Sequence, residues 1–295
     1  MYEHGGLAKI NNYCVYLVQI RLEIAVTDKK SVIIVTANNF ISRLMVTSLL
    51  RSNSVMVSGV VLLPNFSLFE NKSRKLTKKW IRNSSPSFIA LKFLDIFVDT
   101  MIAKMRQNTI SDICRFHDVD SVTLKNQSQL FTYLKRKETR PTLLISMGPV
   151  ILSKDVIEYP TGGSINLHGG RLPEYRGLGN YVWMLADHET IATATLHILE
   201  EKIDAGSVVL TEDLLIDKNW SAFMLNYQLA SAMSRLASQY LALTENQLIE
   251  AIKIQSERVP IRSKYHGIPD SEAVKLLRQQ GRKMLMLKDL LLLFH

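Results

Sequence analysis

The sequence predicts an α/β protein built on an open, twisted, mostly parallel sheet with helices on both faces. Short runs of β-branched and other apolar residues alternate along the chain with segments whose apolar residues recur at helical spacing. One run, residues 142–147, is apolar except for Thr142 and Ser146, which is typical of a strand buried on both faces of a parallel sheet. These two observations predict the fold class.

The first predicted unit is strand, helix, strand, which is how a parallel sheet begins. Residues 32–35 are a short apolar run, and Asn38 and Asn39 stand where a helix N-cap belongs. Residues 40–50 then repeat apolar side chains at helical spacing. A second β-branched run at 55–63 ends at a Pro-Asn pair.

The later elements follow from the same signals. We expect helices at 88–105, 127–137, 151–159 and 177–187, and strands at 142–147, 164–168, 190–199 and 208–210. A single long amphipathic helix is predicted at 221–252, where helix breakers are almost absent. The expected organisation is an N-terminal appendage at 1–30, a central α/β domain at 31–215 and a C-terminal helical extension at 216–295.

Composition excludes several classes of protein. The 295 residues are 47% hydrophobic with 13 Gly and 8 Pro, which excludes collagen and low-complexity disorder. Cys14 and Cys114 are too few for a disulfide framework and lack metal-ligand spacing. We therefore expect no metal site and a reducing, cytoplasmic compartment. No window reaches the roughly 18 apolar residues of a spanning helix, so no membrane span is expected.

The charge balance is basic, with 36 Lys and Arg against 27 Asp and Glu and a net charge of +9. This favours acidic partners, which include phosphorylated substrates, nucleic acid and an anionic membrane face, without choosing among them. Residues 71–82 hold six cations and no acid. A solvated loop or helix face is the ordinary interpretation of this run, and an anion contact that includes Trp80 is the alternative.

Polar residues with catalytic potential follow the predicted strand 164–168. Asn166 and His168 are separated by one residue, so both face the same side of an extended strand. Asp204 follows within Ile203-Asp204-Ala205-Gly206. Because ligands bind at the carboxyl ends of strands in open α/β sheets, we expect these three side chains to converge in one cleft. The alternative is a strand end whose Asn and His only satisfy backbone groups.

The segment SINLHGGRLPEYRG at 164–177, followed by a Trp-containing predicted helix and then by Asp-Ala-Gly, resembles the folate-dependent formyltransferase family. That family includes glycinamide ribonucleotide, methionyl-tRNA and sugar N-formyltransferases. The matching residues are Asn166, His168, Leu172-Pro173, Gly177 and Asp204. The resemblance extends over about residues 31–215 and is strongest between 141 and 210.

The resemblance implies a Rossmann-like fold and transfer of a formyl group from 10-formyltetrahydrofolate to a primary amine. It implies that Asn166 and His168 stabilise negative charge on the formyl oxygen, and that Asp204 supports the charged imidazole and helps to remove the amine proton. The family's pterin-binding loops imply cofactor contacts, mostly through the backbone, by Met147, Gly148, Pro149, Val150, Ile151, Leu152, Ile203, Ala205 and Gly206.

Departures from the family pattern reduce the number of formyl-acceptor classes that fit the sequence. Residues 36–40 contain no glycine, which disfavours the phosphate loop of glycinamide ribonucleotide enzymes. Residues 216–295 are short for the basic β-barrel domain of methionyl-tRNA enzymes, so tRNA is disfavoured but not excluded. The expected acceptor is a small, phosphorylated amine such as an amino-sugar nucleotide, contacted by Arg171, Arg176 and Asn38. Arg176 is equally expected as a partner that fixes its own turn.

Other interpretations remain open at this point. They are a methionyl-tRNA-type transferase, a hydrolase that uses water as the formyl acceptor, and a non-catalytic folate- or anion-binding module; a homodimer is also open. His197 precedes the Asp204 loop and is either a core histidine or a support for the site. The remaining histidines His117, His188 and His266 belong to no motif and are predicted at the surface.

Overall fold

The computed structural model describes residues 31–51, 57–64, 83–148, 152–256 and 263–294. The strands are β1 (Val32–Ala37), β2 (Val57–Leu63), β3 (Ser121–Thr123), β4 (Leu143–Met147), β5 (Ser164–His168), β6 (Arg176–Gly177), β7 (Ile191–Ile198), β8 (Val208–Leu215) and β9 (Tyr265–His266). The helices are α1 (Phe40–Arg51), α2 (Pro86–Phe93), α3 (Asp99–Met105), α4 (Ile110–Phe116), α5 (Gln127–Arg136), α6 (Lys154–Ile157), α7 (Asn180–Ala186), α8 (Ala222–Ala242), α9 (Glu245–Ser256) and α10 (Ser271–Gln279). A π-helical turn at Leu94–Val98 joins α2 to α3, and a 3-10 helix spans Leu287–Phe294.

Seven strands form one sheet in the order β3-β2-β1-β4-β5-β7-β8. Strands β3, β2, β1, β4 and β5 are parallel, whereas β7 pairs antiparallel with both β5 and β8. Strands β6 and β9 form a separate two-stranded sheet. The predicted α/β class with a mostly parallel sheet is confirmed.

Both faces of the large sheet are covered, because alternate strand residues point in opposite directions. In β1, Ile34 contributes to a larger core that also contains Phe223 of α8 and residues of α1. Its neighbour Ile33 contributes to a smaller core on the other face, with Leu130 of α5 and Val156 of α6. The segment after residue 215 therefore adds α8 directly to the hydrophobic core of the sheet.

The single helix predicted at 221–252 is wrong, because the chain forms two helices, α8 and α9. Leu243 leaves the helical conformation with φ −66° and ψ 138°. The side chain of Gln247 then accepts hydrogen bonds from Thr244 N and Thr244 Oγ1, each at 2.9 Å. This Thr-x-x-Gln arrangement is half of a capping box and was the sequence signal for a new helix start.

Other elements differ from prediction for local reasons. Strand β3 has only three residues, of which Val122 alone packs partly buried against the smaller core, so its sequence has no hydrophobic pattern. Strand β8 continues to Leu215, beyond the predicted 208–210, because it pairs with β7 along its length. The predicted elements and contacts within residues 1–30, 65–82 and 149–151 lie outside the described residues. Among the described helices, none is long and apolar enough to cross a lipid bilayer.

A buried ion pair fixes α1 to α3. The guanidinium of Arg43 donates to both carboxylate oxygens of Asp99, and both side chains are almost completely buried. Burial raises the pKa of Asp99 above its ordinary value, and the adjacent guanidinium opposes that rise. Removing either partner would leave a buried charge without compensation.

We expect Arg43→Met to lower the free energy of unfolding by about 3–5 kcal/mol, because Asp99 would stay buried without its partner. Urea denaturation measures this. Arg115→Met is the matched control, since Arg115 pairs with Asp112 at 3.1 Å on the surface, and it should cost at most about 1 kcal/mol. Equal losses in the two variants would contradict the assignment of the Arg43 pair to the core.

Candidate active site

The carboxyl-terminal half of β5 presents Asn166 and His168 on one face of the sheet. Asn166 lies opposite His197 of β7, and His168 lies opposite Thr195. Both β5 side chains are buried. The spacing of one residue therefore places the amide and the imidazole on the same side, as the sequence predicts.

Asp204 reaches this site by a route that the sequence did not reveal. Because β7 is antiparallel to β5, its last residue Ile198 lies opposite Ile165, near the start of β5. The connection to β8 then folds back over the sheet. Gly206 approaches Ile198 so closely that a Cβ added to Gly206 would lie 1.9 Å from the carbonyl oxygen of Ile198. Asp204 adopts a left-handed conformation with φ 47°. Its Oδ1 comes to 3.6 Å from His168 Nδ1.

A short backbone segment, Tyr175–Gly177, holds both members of this pair. His168 Nε2 lies 2.6 Å from the carbonyl oxygen of Tyr175, so this nitrogen carries a hydrogen and donates it. The backbone N–H of Gly177 donates to Asp204 Oδ2 at 2.8 Å. Since Nε2 is used by the protein, Nδ1 is the nitrogen of His168 that faces the carboxylate.

Asn180, at the start of α7, completes the support of this segment and was not predicted. Its Nδ2 donates to the carbonyl oxygens of Tyr175 at 3.0 Å and Gly177 at 3.3 Å, and lies 2.9 Å from His168 Nε2. The sequence offered only one signal, an amide residue three positions after Gly177. Its role depends on how the loop turns back over β5.

His197 orients Asn166. His197 Nδ1 donates to the carbonyl oxygen of Ile198 at 2.9 Å, which leaves Nε2 to accept a hydrogen bond from Asn166 Nδ2 at 3.1 Å. Burial, followed by the neighbouring His168, lowers the pKa of His197 to about 4 against the opposing effect of Asp204. His197 is thus a neutral, buried histidine that also supports the site. The bond uses one of the two Nδ2 hydrogens of Asn166 and leaves the other for a ligand.

Strand β9 binds the Tyr175–Gly177 segment through backbone hydrogen bonds and a stacked ring. Arg176 N donates to the carbonyl oxygen of Lys264 and Leu178 N to that of His266, each at 3.1 Å. The His266 ring stacks on Tyr175 with ring centroids 5.1 Å apart. His266 is only 2% exposed, so its predicted surface location is wrong. The pairing of β9 with β6 buries it, and no local motif signals that pairing.

The comparisons with known proteins cover the residues of this cluster. A family model described as formyl transferase matches residues 122–241, which contain the whole His168–Asp204 cluster. The predicted resemblance to the formyltransferase family is confirmed over these residues.

The curated relatives share limited sequence identity with this chain. A methionyl-tRNA formyltransferase of Caldicellulosiruptor saccharolyticus is 29% identical over 139 residues, which are 47% of this chain and 41% of that protein. A bifunctional polymyxin resistance protein ArnA of Wigglesworthia glossinidia brevipalpis is 33% identical over 102 residues, 35% of this chain and 16% of that protein. The chain thus spans less than half the length of these curated relatives.

A solved structure agrees with the fold. The crystal structure of phosphoribosylglycinamide formyltransferase from Anaplasma phagocytophilum has a TM-score of 0.51 and 17% identity. The match covers 74% of this chain and 88% of that chain. The predicted Rossmann-like formyltransferase fold is therefore confirmed.

The loop after β4, predicted to bind the folate, can offer mainly its backbone. The side chains of Met147 and Leu152 are buried in the two opposite cores. The Met147 carbonyl already accepts a hydrogen bond from Thr36 Oγ1 at 2.9 Å. Gly148 has φ 91°, a conformation that favours glycine. The predicted contacts Pro149, Val150 and Ile151 lie outside the described residues.

The fold-back loop at 199–207 contains the other predicted folate contacts. Ile203 and Ala205 are exposed on it, whereas Gly206 is buried against Ile198. The carbonyl oxygen of Ile203 accepts a hydrogen bond from Arg176 Nε at 3.1 Å. This contact supports the expectation that Arg176 fixes local structure.

The remaining predicted acceptor residues also have contacts within the protein. Arg171 Nε donates to Thr193 Oγ1 at 3.3 Å, on the extension of β7 beyond His168. Asn38 lies between β1 and α1, next to Asn39, whose Oδ1 caps α1 by accepting from Ser42 N at 2.9 Å. The structure therefore places Arg171 near the carboxyl edge of β5 and Asn38 at the end of β1.

We expect His197→Gln to reduce the pH dependence of folding stability in this protein. The folded-state pKa of about 4 lies below the ordinary 6.5, so the unfolded chain binds more protons between these values and wild-type stability falls as pH drops through that window. Across this window the lowered pKa of His197 reduces the free energy of unfolding of the wild type by about 3 kcal/mol, at roughly 1.4 kcal/mol per pKa unit. Gln keeps an acceptor for Asn166 and does not titrate.

Urea unfolding of wild type and variant at pH 7, 5.5 and 4.5 measures the difference. His188→Gln is the matched control, because His188 lies at the surface, and its curve should follow that of wild type. Parallel curves for wild type and His197→Gln would show that His197 is not held neutral.

We expect Gly177→Ala to destabilise the protein more than Gly281→Ala. Both glycines have positive φ, 103° and 73°, so both substitutions introduce backbone strain of about 1–2 kcal/mol. Only at Gly177 would the new Cβ meet another atom, the His266 carbonyl oxygen at 2.0 Å; at Gly281 nothing lies within 4 Å. Equal unfolding free energies for the two variants would mean that β9 does not pack closely against the Tyr175–Gly177 segment.

Proposed function

We propose that this protein transfers a formyl group from 10-formyltetrahydrofolate to the primary amine of a small, phosphorylated acceptor such as an amino-sugar nucleotide. One observation carries the proposal. Asn166 and His168 are buried on the same face of β5, and Asp204 Oδ1 lies 3.6 Å from His168 Nδ1. This cluster lies within the residues that match the formyltransferase family.

The residues around the cluster suit a folate donor. The ring system of folate is a flat array of hydrogen-bond donors and acceptors, which exposed main chain can bind. The backbone at Gly148 follows Met147, which lies opposite Leu167, so it is level with His168. The fold-back loop at 199–207 offers a second stretch of main chain beside Asp204. These two segments would hold the donor between them.

Asn166 and His168 would stabilise developing charge. When bound, 10-formyltetrahydrofolate supplies a formyl carbon whose bond to nitrogen breaks as the acceptor amine takes its place. The donors to the formyl oxygen would be the second Nδ2 hydrogen of Asn166 and, in the imidazolium form that Asp204 would stabilise, a hydrogen on His168 Nδ1. Buried, preoriented donors of this kind need no reorganisation during the reaction, so they act most strongly on the transition state.

Asp204 would handle the proton that the amine gives up. Its Oδ1 lies 3.6 Å from His168 Nδ1 and 3.8 Å from His197 Nε2, which is too long for direct hydrogen bonds. A water molecule or the amine itself would bridge these atoms from one side of the pair, within hydrogen-bond reach of both. Because Gly177 N holds Oδ2, Oδ1 is the oxygen available to accept the proton.

The acceptor assignment rests on charge near the site. Arg176 lies beside the Asp204 loop with its guanidinium at the surface, and Arg171 lies at the carboxyl edge of β5. A guanidinium that donates one or two of its N–H groups to the protein has further N–H groups that can bind a phosphate. The chain's net charge of +9 also favours an anionic acceptor.

Purified protein, incubated with 10-formyltetrahydrofolate and single candidate amines, tests the proposal. We expect release of tetrahydrofolate that depends on a nucleotide-linked amino sugar, measured by absorbance, and a formylated product, measured by mass spectrometry. His168→Ala should lower the rate by at least about 100-fold while folate affinity changes little, because the imidazole acts mainly in the transition state. Asp204→Asn should lower the rate by a smaller factor.

His117→Ala is the control, since His117 caps the C-terminus of α4, a helix that contacts α1 and β3. Folate release without any amine would assign hydrolysis instead, and formylation of charged methionyl-tRNA alone would assign the tRNA acceptor. Absence of saturable folate binding by calorimetry would overturn the folate donor.

A further inference from the structure

Five large apolar side chains stand on the outer side of the helical rod that runs from α2 through the π turn into α3. They are Ile89, Phe93, Phe97, Met101 and Met105, and we call them the apolar ridge. Their exposed fractions run from 38% to 79%. Isolated exposed apolar residues are ordinary, but a continuous row of this size marks an interaction surface.

The π turn keeps the ridge on one side of the rod. The five residues are spaced by four, and in an α-helix four residues advance about 40° beyond one full turn. Over five residues that drift would carry the row around the rod. The π turn at Leu94–Val98 is wider, so four residues there fall short of a full turn and offset the drift. Phe93 and Phe97 consequently stack, with ring centroids 5.0 Å apart.

The exposed charges on the rod and at its end are cationic, and we call them the cationic border. Both carboxylates of the rod are buried and paired, Asp95 with Lys92 at 2.7 Å and Asp99 with Arg43. The exposed charged groups at the end of the rod are Lys104 and Arg106.

The 3-10 helix, which contacts α3, continues the same surface. It exposes Leu287, Lys288 and Leu291, while its one carboxylate, Asp289, is completely buried. Neither the described rod nor this helix therefore has an exposed carboxylate.

A cavity of about 760 Å³ lies against the same rod. Ala90 and Leu94 line one side of it, and Arg278, Arg282 and Lys283 line another. This cleft lies on a different side of the rod from the ridge, because Ala90 and Leu94 each follow a ridge residue by one position, about 100° further around the helix. Its arginine and lysine side chains add to the positive charge around the rod.

We propose that the apolar ridge and its cationic border dock this protein on an anionic lipid surface. Phenylalanine, methionine and isoleucine side chains enter the boundary between headgroups and hydrocarbon, and lysine and arginine at the border bind anionic headgroups. Nucleic acid would match the cations but not the ridge. A second copy of the chain would match the ridge but would bring like charges together.

The sequence just before the rod is also positively charged. Residues 71–82 hold six cations and Trp80 without an acid, which is the composition of segments that bind anionic membranes. The proposal itself rests on the described residues, and it is independent of the formyl-transfer reaction.

Vesicle flotation with the purified full chain tests the proposal. We expect the protein to float with vesicles of phosphatidylcholine and phosphatidylglycerol, and to bind vesicles of phosphatidylcholine alone several-fold more weakly. Raising the salt concentration should weaken binding, because headgroup attraction is screened. Phe93→Ser combined with Phe97→Ser should lower the partition coefficient at least about tenfold, because two large apolar side chains no longer enter the boundary.

Phe116→Ser is the matched control, since Phe116 is 85% exposed on α4 but stands outside the ridge, and it should bind like wild type. Lys104→Glu combined with Arg106→Glu should abolish the preference for anionic vesicles, whereas Lys125→Glu should not. Circular dichroism melting of each variant separates lost binding from lost folding.

No flotation with anionic vesicles at low salt would overturn the proposal. A ridge variant that is folded and binds like wild type would do the same. Ridge-dependent dimerisation in analytical ultracentrifugation, without vesicle binding, would assign the ridge to a second copy of the chain.

Discussion

The backbone of Tyr175–Gly177 is the point on which the site depends. One carbonyl of this segment binds His168 Nε2 and one N–H binds Asp204 Oδ2. Two side chains that are 36 positions apart in the sequence are thus set 3.6 Å from each other by three consecutive residues. A shift of this segment would change the available nitrogen of His168 and the available oxygen of Asp204 at the same time.

The rest of the structure around the segment keeps it in place. The hydroxyl of Tyr175 donates towards Glu189 at 3.0 Å and Asp187 at 3.2 Å, after the end of α7, and His266 stacks on the ring. Burial and the two carboxylates raise the pKa of Tyr175, so the hydroxyl remains a donor. The phenol, the ring and the backbone of one residue therefore bind three different parts of the chain.

Burial gives the cluster its electrostatic character. His197 is held neutral by burial and by the adjacent His168, which leaves it as an acceptor for the Asn166 amide. The Asp204 carboxylate then faces His168 Nδ1 across a gap with little exposure to solvent. In such surroundings charges interact more strongly than in water, so small groups in fixed positions can have large effects on a reaction. The rod that carries the apolar ridge starts beside this region, since Ser85 N donates to the Pro269 carbonyl at 3.1 Å, close to Gly179.

The sequence by itself determined the sheet, its main strands and the pairing of Asn166 with His168 on one face, because these follow from local periodicity. It also indicated the formyltransferase resemblance, through three motifs in the correct order. Only the tertiary structure decided how Asp204 arrives, since the fold-back after Ile198 depends on the antiparallel β5–β7 pair. The same holds for Asn180 and His266, whose partners lie on other elements. Contacts made across long separations leave no local pattern, and a residue's chemistry then depends on neighbours that its own segment does not contain.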